Sequence, residues 1–295
     1  MNLENKIIIS VIIPSYNSSR TIRDCLISLI KQKVNVPYEI LVVDSSSDQT
    51  AELIAKEFPT VKLIKVKERI FAGQARNIGV KESQGEIIAC LDADCLAEED
   101  WLQNIYDCHQ GSSFKIIGGS LEPANKKSLI SWAEYFLQFS EFFPQSPARV
   151  VRTIPMSNIS YQRDIFIQYG QIPDIQTSQD TYFHWLLKEK GEKIYFSPQI
   201  KVKHQHREKL ISFLQHQYHL GQGFTRGRYQ GKIVGIWFLK YHLFWFLPFM
   251  RLFLTIRRLV WQLPWSPWFI LSLPFYLIGL ISWTSGVAWQ RYFKK

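Results

Sequence analysis

Residues 7–13, Ile-Ile-Ile-Ser-Val-Ile-Ile, form an apolar, largely β-branched run that stops at Pro14-Ser15-Tyr16-Asn17. A strand with one face in water alternates apolar and polar side chains. A run without alternation belongs to a strand covered on both faces, which is the situation of a parallel sheet flanked by helices. The pattern repeats downstream. Ser18 or Ser19 can start a helix that runs to about Gln32, with Ile22, Leu26, Leu29 and Ile30 on its apolar side. Glu39 to Val43 reads as a second strand ending at Asp44. Asp48 starts a helix over Gln49 to Phe58, and Val61 to Val66 is a third strand. Gly73 to Lys81 is a short helix, and Glu86 to Leu91 is a strand ending at Asp92. Strands that alternate with helices predict an α/β fold with a mainly parallel central sheet.

In such sheets ligands bind beyond the carboxyl ends of the strands. Those ends carry Ser15-Tyr16-Asn17, Asp44 and Asp92-Ala93-Asp94, so three strands send polar groups to one edge. No GxGxxG follows the first strand and no GxxxxGK[ST] occurs, which removes the main support for dinucleotide and P-loop readings. The four cysteines, Cys25, Cys90, Cys95 and Cys108, show no CxxC spacing, and they point to a reducing compartment without a zinc site. In Leu91-Asp92-Ala93-Asp94-Cys95 the two carboxylates are two residues apart, so in extended chain both face one side. That suits a hard cation, magnesium or manganese, shared with a substrate diphosphate. A turn or a helix cap is the plainer reading of the same spacing.

Four segments taken together are more specific: VIIPSYN (11–17), VVDSSSDQT (42–50), GQARNIG (73–79) and LDADC (91–95). In this order and spacing they resemble the family 2 glycosyltransferases of GT-A fold, and the resemblance covers roughly residues 7 to 205. It implies an inverting enzyme that transfers a sugar from a nucleoside diphosphate donor, typically a UDP-sugar. It implies that Pro14, Ser15, Tyr16 and Asn17 line the nucleotide pocket and that Asp44 hydrogen-bonds the base. It further places Arg76 and Asn77 near the nucleotide, Asp92 and Ala93 near the ribose and diphosphate, and Asp94 on the metal.

Inverting transfer also needs a carboxylate on the acceptor side to take the hydroxyl proton. The resemblance places it in an acidic pair ahead of a helix, which here is Gln179-Asp180, so Asp180 is the expected base. Ser178 is positioned to cap that helix, whose dipole would favour the ionised carboxylate in its first turn. Asp174 is the runner-up. In SNISYQRD (157–164), Asn158 and Arg163 are candidates for the pocket or for structure. His204, after a strand near Lys193 to Phe196, matches a metal- or diphosphate-contacting position. His206 ranks lower, and His184 reads as packing or surface.

Beyond residue 208 the composition changes. The first 208 residues carry 24 Lys and Arg against all 25 Asp and Glu, whereas Lys209 to Lys295 hold 11 basic residues and no acid. Seven of the ten tryptophans lie between Trp237 and Trp289. Basic residues set among apolar runs and tryptophans point to an anionic membrane surface and away from nucleic acid. Trp268 to Trp289 is uncharged and would span about 33 Å as a helix, enough to cross a bilayer. Ile233 to Ile256 is equally apolar but contains Lys240, His242 and Arg251, with Pro248 as a kink. Lys240, Arg251 and Arg258 would form a basic stripe on a helix lying among headgroups. Pro264 and Pro267 mark a break between the two segments.

The N-terminal run is short, is preceded by Glu4 and Lys6, and lacks a cleavage pattern, so no signal peptide is expected and the catalytic part should face the cytoplasm. The expected layout is a catalytic domain over 1–230 and a membrane-associated helical segment over 231–295. The QxxRW signature of processive polysaccharide synthases is missing. GQGFTRGRY (221–229) has Gln222 and Arg226 at another spacing, which disfavours a long polymer product. Arg226 and Arg228 remain candidates for donor phosphates or lipid headgroups. The expected activity is metal-assisted sugar transfer to a membrane-associated or lipid-linked acceptor. The rivals are a non-catalytic nucleotide-binding scaffold and a related nucleotidyltransferase.

Overall fold

The computed structural model describes residues 6–175, 178–231, 235–262 and 267–293. The first half follows the expected alternation: β1 (Ile9–Ser15), α1 (Ile22–Ile30), β2 (Tyr38–Asp44), α2 (Thr50–Glu57), β3 (Lys62–Lys65), α3 (Ala72–Glu82) and β4 (Ile87–Leu91). There follow β5 (Cys95–Ala97), α4 (Trp101–Gln110), β6 (Ile116–Pro123), α5 (Leu129–Phe139), β7 (Arg149–Val151), β8 (Asn158–Gln162), α6 (Asp164–Tyr169), α7 (Gln179–Glu189) and β9 (Ile194–His204). The sheet runs β3-β2-β1-β4-β8-β6-β9-β5, with β7 on β9. β3, β2, β1 and β4 are mutually parallel. β8 enters antiparallel to β4, and β6 pairs parallel with β9. Four of the seven residues of β1 and all five of β4 are apolar and buried, as runs without alternation require.

The start of α1 differs from expectation. The Thr21 and Ile22 amides both bond to the Ser18 carbonyl at 2.9 Å, so residues 18–21 form a turn and the helix begins at Ile22. The Ser18 amide donates to the Thr50 hydroxyl (3.0 Å) and the Ser19 amide to Asp48 (3.4 Å). Those bonds hold the serines against the loop after β2, and Thr21 takes the N-cap position without a side-chain cap bond. Ser178 likewise makes no side-chain cap on α7, and its φ is +63°. The α7 amide of Thr181 is instead taken by the Asp180 carboxylate at 2.7 Å.

The last quarter is helical: α8 (Leu210–Gly231), α9 (Ile236–Lys240), a 3-10 turn (Leu243–Phe246), α10 (Leu247–Gln262) and α11 (Pro267–Phe293). Pro267 opens α11, where its missing N–H has no consequence. The Ile233 start and the Pro264 break expected from sequence lie outside the described residues. α11 packs along α8 and α5. At its crossing with α8, a Cβ on Gly221 would meet the Trp283 carbonyl oxygen at 1.9 Å, and one on Gly286 would meet that of Tyr218 at 2.0 Å. Only glycine permits that backbone approach.

The basic stripe expected of Lys240, Arg251 and Arg258 does not form, because Lys240 ends α9 and a 3-10 turn separates it from the two arginines of α10. Arg251 donates to the Leu137 carbonyl (2.7 Å), and its guanidinium lies 4.4 Å from the Trp283 ring. Arg258 donates to the Ser140 hydroxyl (3.1 Å) and pairs with Glu141 (2.5 Å). Both arginines therefore face the C-terminal end of α5, whose free carbonyls and following acid attract cations. The outer face of α10 is aromatic instead.

Candidate active site

A cavity of about 770 Å³ opens at the carboxyl edge of the parallel strands. Pro14, Ser15, Tyr16 and Asn17 line it, together with Arg76, Asp92, Ala93, Asp94, Asp180 and His204, so most of the expected site converges. Asn17 has φ +52°, a left-handed conformation that Asn tolerates better than most residues, and it turns the chain sharply after β1. Asp44 and Asn77 do not line the cavity. Asp44 is buried and accepts from the hydroxyl (2.6 Å) and amide (3.3 Å) of Ser46, whose hydroxyl in turn accepts from the Asn17 amide at 2.7 Å. It thus reaches the cavity through the loop that it braces. Asn77 exchanges two hydrogen bonds with the Ile172 backbone (2.8 and 2.9 Å) and holds the loop ahead of α7.

Arg76 is 2 % exposed, pairs with Asp92 and leaves its Nε without a hydrogen-bond partner. Burial pushes the Asp92 carboxyl up, against the opposing pull of the Arg76 charge, with Asp94 adding to the rise. The pair is a fixed dipole in the cavity floor. The register explains the next contact: β5 runs antiparallel to β9 with Cys95 opposite His204, which brings that histidine beside Asp94. His204 Nε2 lies 3.5 Å from Asp94 Oδ1, and the Gln205 amide bonds the Asp94 carbonyl at 2.8 Å. Asp94, Cys95 and His204 offer ligand atoms within 4.8 Å of one another. Burial holds the Cys95 thiol protonated far above its usual range, so the usable donors are one carboxylate and one imidazole. An oxygen and nitrogen pair that leaves room for diphosphate oxygens suits manganese or magnesium.

Across the cavity stands Asp180, in the first turn of α7. Its carboxyl is raised by burial, which outweighs the Thr181 amide and the Arg76 charge. The helix dipole therefore does not keep it at an ordinary aspartate value. Gln179 is turned away from acid–base work, since its Oε1 accepts from the Gly73 amide at 2.9 Å. A Cβ on Gly73 would lie 2.8 Å from that oxygen, so α3 and α7 meet closely here. Asp174 is exposed and does not line the cavity.

Three further expectations resolve as structure. Asn158 is fully buried and joins three elements, accepting from Trp101 Nε1 (2.9 Å) and donating to the Ser120 (2.8 Å) and Ile200 (2.9 Å) carbonyls. Arg163 donates to the Gly85 and Val80 carbonyls at the end of α3. His184 is buried between Thr153 and Tyr161, with its pKa pushed down to about 3 by desolvation.

Sequence reasoning missed the opposite wall. Gln138 and Phe139 of α5, Arg207, and His216 of α8 line the cavity beside His204 and His206. Glu134, fully buried on α5, organises them. It accepts from the Arg207 amide (2.7 Å) and guanidinium (3.0 Å), and it meets His216 Nδ1 at 2.7 Å. Burial alone would raise this carboxyl, but His216 and Arg207 bring it down to about 2. Burial holds His216 itself below its usual range, and the Arg207 guanidinium sets a permanent positive charge beside Glu134. The His206 ring packs against that of His204 at a tilt of 34°, with centroids 4.5 Å apart. No short motif marks this wall, because its members lie far apart in the chain. The only hint is a lone acid inside the otherwise uncharged, mostly apolar Leu129–Phe139 stretch.

Residues 10–170 match the family model for Glycosyl transferase family 2. The chain is 28 % identical over 225 residues to Glycosyltransferase AglE of Haloferax volcanii, covering 73 % of this chain and 72 % of that one. It is 25 % identical over 202 residues to the poly-beta-1,6-N-acetyl-D-glucosamine synthase of Staphylococcus aureus, but the match spans only 48 % of that protein. Among solved structures, the mannosyltransferase PcManGT of Pyrobaculum calidifontis, in complex with GDP-Man and Mn2+, superposes with TM-score 0.63 at 18 % identity. That match covers 97 % of this chain and 88 % of the other. S. aureus TarS 1-349 in complex with UDP-GlcNAc gives 0.58 at 17 %, covering 97 % and 92 %. At these identities the structural matches speak for the fold, which is of GT-A type.

Proposed function

The chain belongs to glycosyl transferase family 2 and is a nucleotide-sugar glycosyltransferase, and from that premise we propose that it transfers the sugar of a nucleoside diphosphate donor, with inversion and metal assistance, to a membrane-associated or lipid-linked acceptor. The observation that carries this reading is the convergence of Asp94 with His204, Arg76 with Asp92, and Asp180 on one cavity. A UDP-sugar is the first donor to test. Related folds accommodate both UDP-GlcNAc in TarS and GDP-Man in PcManGT.

Pro14 to Asn17 would seat the nucleotide, with Asp44 bracing their turn through Ser46. Asp94 and His204 would hold Mn2+ or Mg2+, which supplies positive charge for the leaving diphosphate. The Arg76 guanidinium, fixed beneath Asp92, adds charge that needs no reorganisation as the diphosphate departs. The acceptor hydroxyl oxygen attacks the anomeric carbon from the side opposite the diphosphate and forms the new glycosidic bond. The bond from carbon to diphosphate oxygen breaks, and the nucleoside diphosphate leaves with that electron pair. The hydroxyl proton passes to Asp180. A carboxyl raised by burial is a stronger base than an ordinary aspartate, which is what this step requires.

The membrane part of the reading rests on the large exposed apolar side chains of α9 to α11, such as Trp237, Phe249 and Phe293, in a stretch without acids. In this reading residues 1–230 carry the chemistry and 231–295 the attachment, at the cytoplasmic face of the membrane. The test is a donor screen on detergent-solubilised protein with manganese, following nucleoside diphosphate release from UDP- and GDP-sugars. Release from one donor that stops with a chelator supports the reading. Nucleotide binding that is indifferent to manganese, with no release from any donor, overturns it.

A further inference from the structure

α11 is long and apolar enough to cross a bilayer, and 44 % of its most apolar window is buried against the rest of the protein. Its partners run along its length. Trp268 stacks on Trp132 of α5 with centroids 5.6 Å apart, and Phe269 meets Phe136 edge-on at 5.1 Å. Further along, Ser282 donates to the Leu214 carbonyl (2.7 Å), and the Thr225 hydroxyl donates to that of Val287 (3.4 Å). Near the end Arg291 donates to the Leu239 carbonyl (3.1 Å). α8 therefore accompanies the C-terminal half of α11, and α8 carries His216, Gln217, His219, Gln222, Arg226 and Arg228. Crossing a bilayer would carry those groups through hydrocarbon, where ionisable and amide side chains are strongly disfavoured.

The remaining face of α11 is a continuous apolar strip that includes Ile270 (64 % exposed), Ile281 (65 %) and Phe293 (68 %). α10, tied to α11 through the hydroxyls of Thr255 and Tyr276 (2.9 Å), exposes Phe249 (71 %), Phe253 (62 %) and Ile256 as well. The arginines that could have spoiled this face, Arg251 and Arg258, are turned inward onto α5. Lys240 and Arg257 stay exposed, and no acid occurs from Lys209 onward, so the surround is complementary to anionic headgroups. Resting on the membrane association proposed above, we infer that α10 and α11 seat together on one leaflet, apolar faces in the acyl boundary, and that α11 does not cross. An interfacial helix of this kind sinks about 5–10 Å into the boundary.

The seating has a consequence for the site. α5 bonds α10 through Leu137 and Ser140, while Gln138 and Phe139 of the same turn line the cavity. One helix, about 10 Å across, thus separates the lipid-facing layer from the cavity wall.

The experiment uses full-length protein bound to sealed vesicles of phosphatidylcholine and phosphatidylglycerol. The protein should float with them, and Phe249→Ser with Phe253→Ser should lower the bound fraction by about tenfold or more while donor hydrolysis in detergent stays unchanged. Topology is read in a Cys108→Ser background, the other three cysteines being buried. Pro267→Cys and Phe293→Cys then mark the two ends of α11 in right-side-out and inverted membrane vesicles treated with an impermeant maleimide. Modification of both ends from the same face supports single-leaflet seating, and modification from opposite faces overturns it. Failure to float, or a detergent-free dimer that hides Phe249, also overturns it. Protein that turns over donor but does not float overturns this inference alone, and protein that floats but binds nucleotide indifferently to manganese, with no release from any donor, overturns the metal-assisted transfer reading alone.

Discussion

The two walls of the cavity are built by different means. The sheet-edge wall is assembled from chain segments that leave β1 and β4, and each brings its groups as a short run: Pro14 to Asn17, then Asp92 to Asp94. Its carboxylates are each held by a single partner, as Asp92 is by Arg76 and Asp94 by His204. The helical wall draws Glu134, Arg207 and His216 from three parts of the chain and ties them through one buried carboxylate. Groups on the first wall can therefore be removed without disturbing the fold, whereas the second wall carries stability and shape at once.

That difference can be broken or sharpened by mutation. The largest effect is expected from Asp180→Asn, which should lower transfer by about a thousandfold, within the usual range for a general base, while donor binding persists. Folding raises this carboxyl, so its stabilising contribution is full below the unfolded value and is lost as pH rises through the folded value. At neutral pH the asparagine variant should then melt no lower than the wild type, and a lower melting temperature would place Asp180 in the structural wall. Next, Glu134→Ala should cost about 3 kcal/mol, because it leaves Arg207 and His216 facing an empty partner. Urea unfolding measures this, and unchanged stability with lost activity would erase the contrast between the walls.

Asp94→Ala should weaken manganese-dependent nucleotide binding by at least about tenfold with little change in stability, and titration calorimetry with and without the metal separates the two. The smallest effect is expected at the α3–α7 contact. Gly73→Ala places a methyl 2.8 Å from Gln179 Oε1, whose side chain can shift, and 3.0 Å from the Pro173 carbonyl, so a loss of about 1–2 kcal/mol is expected in thermal unfolding. The pH–rate profile gives an independent check: its acid limb should fall above the ordinary aspartate range, and Asp180→Asn should abolish it.

How far the chain could be read follows the same division. β1, β2 and β4 were legible because a doubly covered strand leaves an unbroken apolar run, and the polar residues after it mark the ligand edge. The start of α1 was misread because Ser18 and Ser19 are good caps in isolation, and the distant Asp48 and Thr50 draw them into a turn that ends at Thr21. The arginines of α10 were misread for a related reason. Periodicity shows that Arg251 and Arg258 share a face but not which way it points, and the carbonyl end of α5 decides that. Asn158 and Arg163 sit in a suggestive segment, yet a strand inserted between β4 and β6 carries their side chains to backbone partners. Glu134 left almost no trace, since one acid in an apolar helix has no meaning until its partners arrive from other elements.

The glycine crossing of α8 and α11 has a practical consequence. Because Gly221 and Gly286 let the two backbones touch, α11 fits α8 as closely as one core helix fits another. Expression of residues 1–230 by themselves would bare Phe136, Leu137 and Phe213 where α11 had lain, and the shortened polypeptide should precipitate instead of yielding a soluble enzyme. Preparations for crystallography or assay should keep the helices and accept detergent.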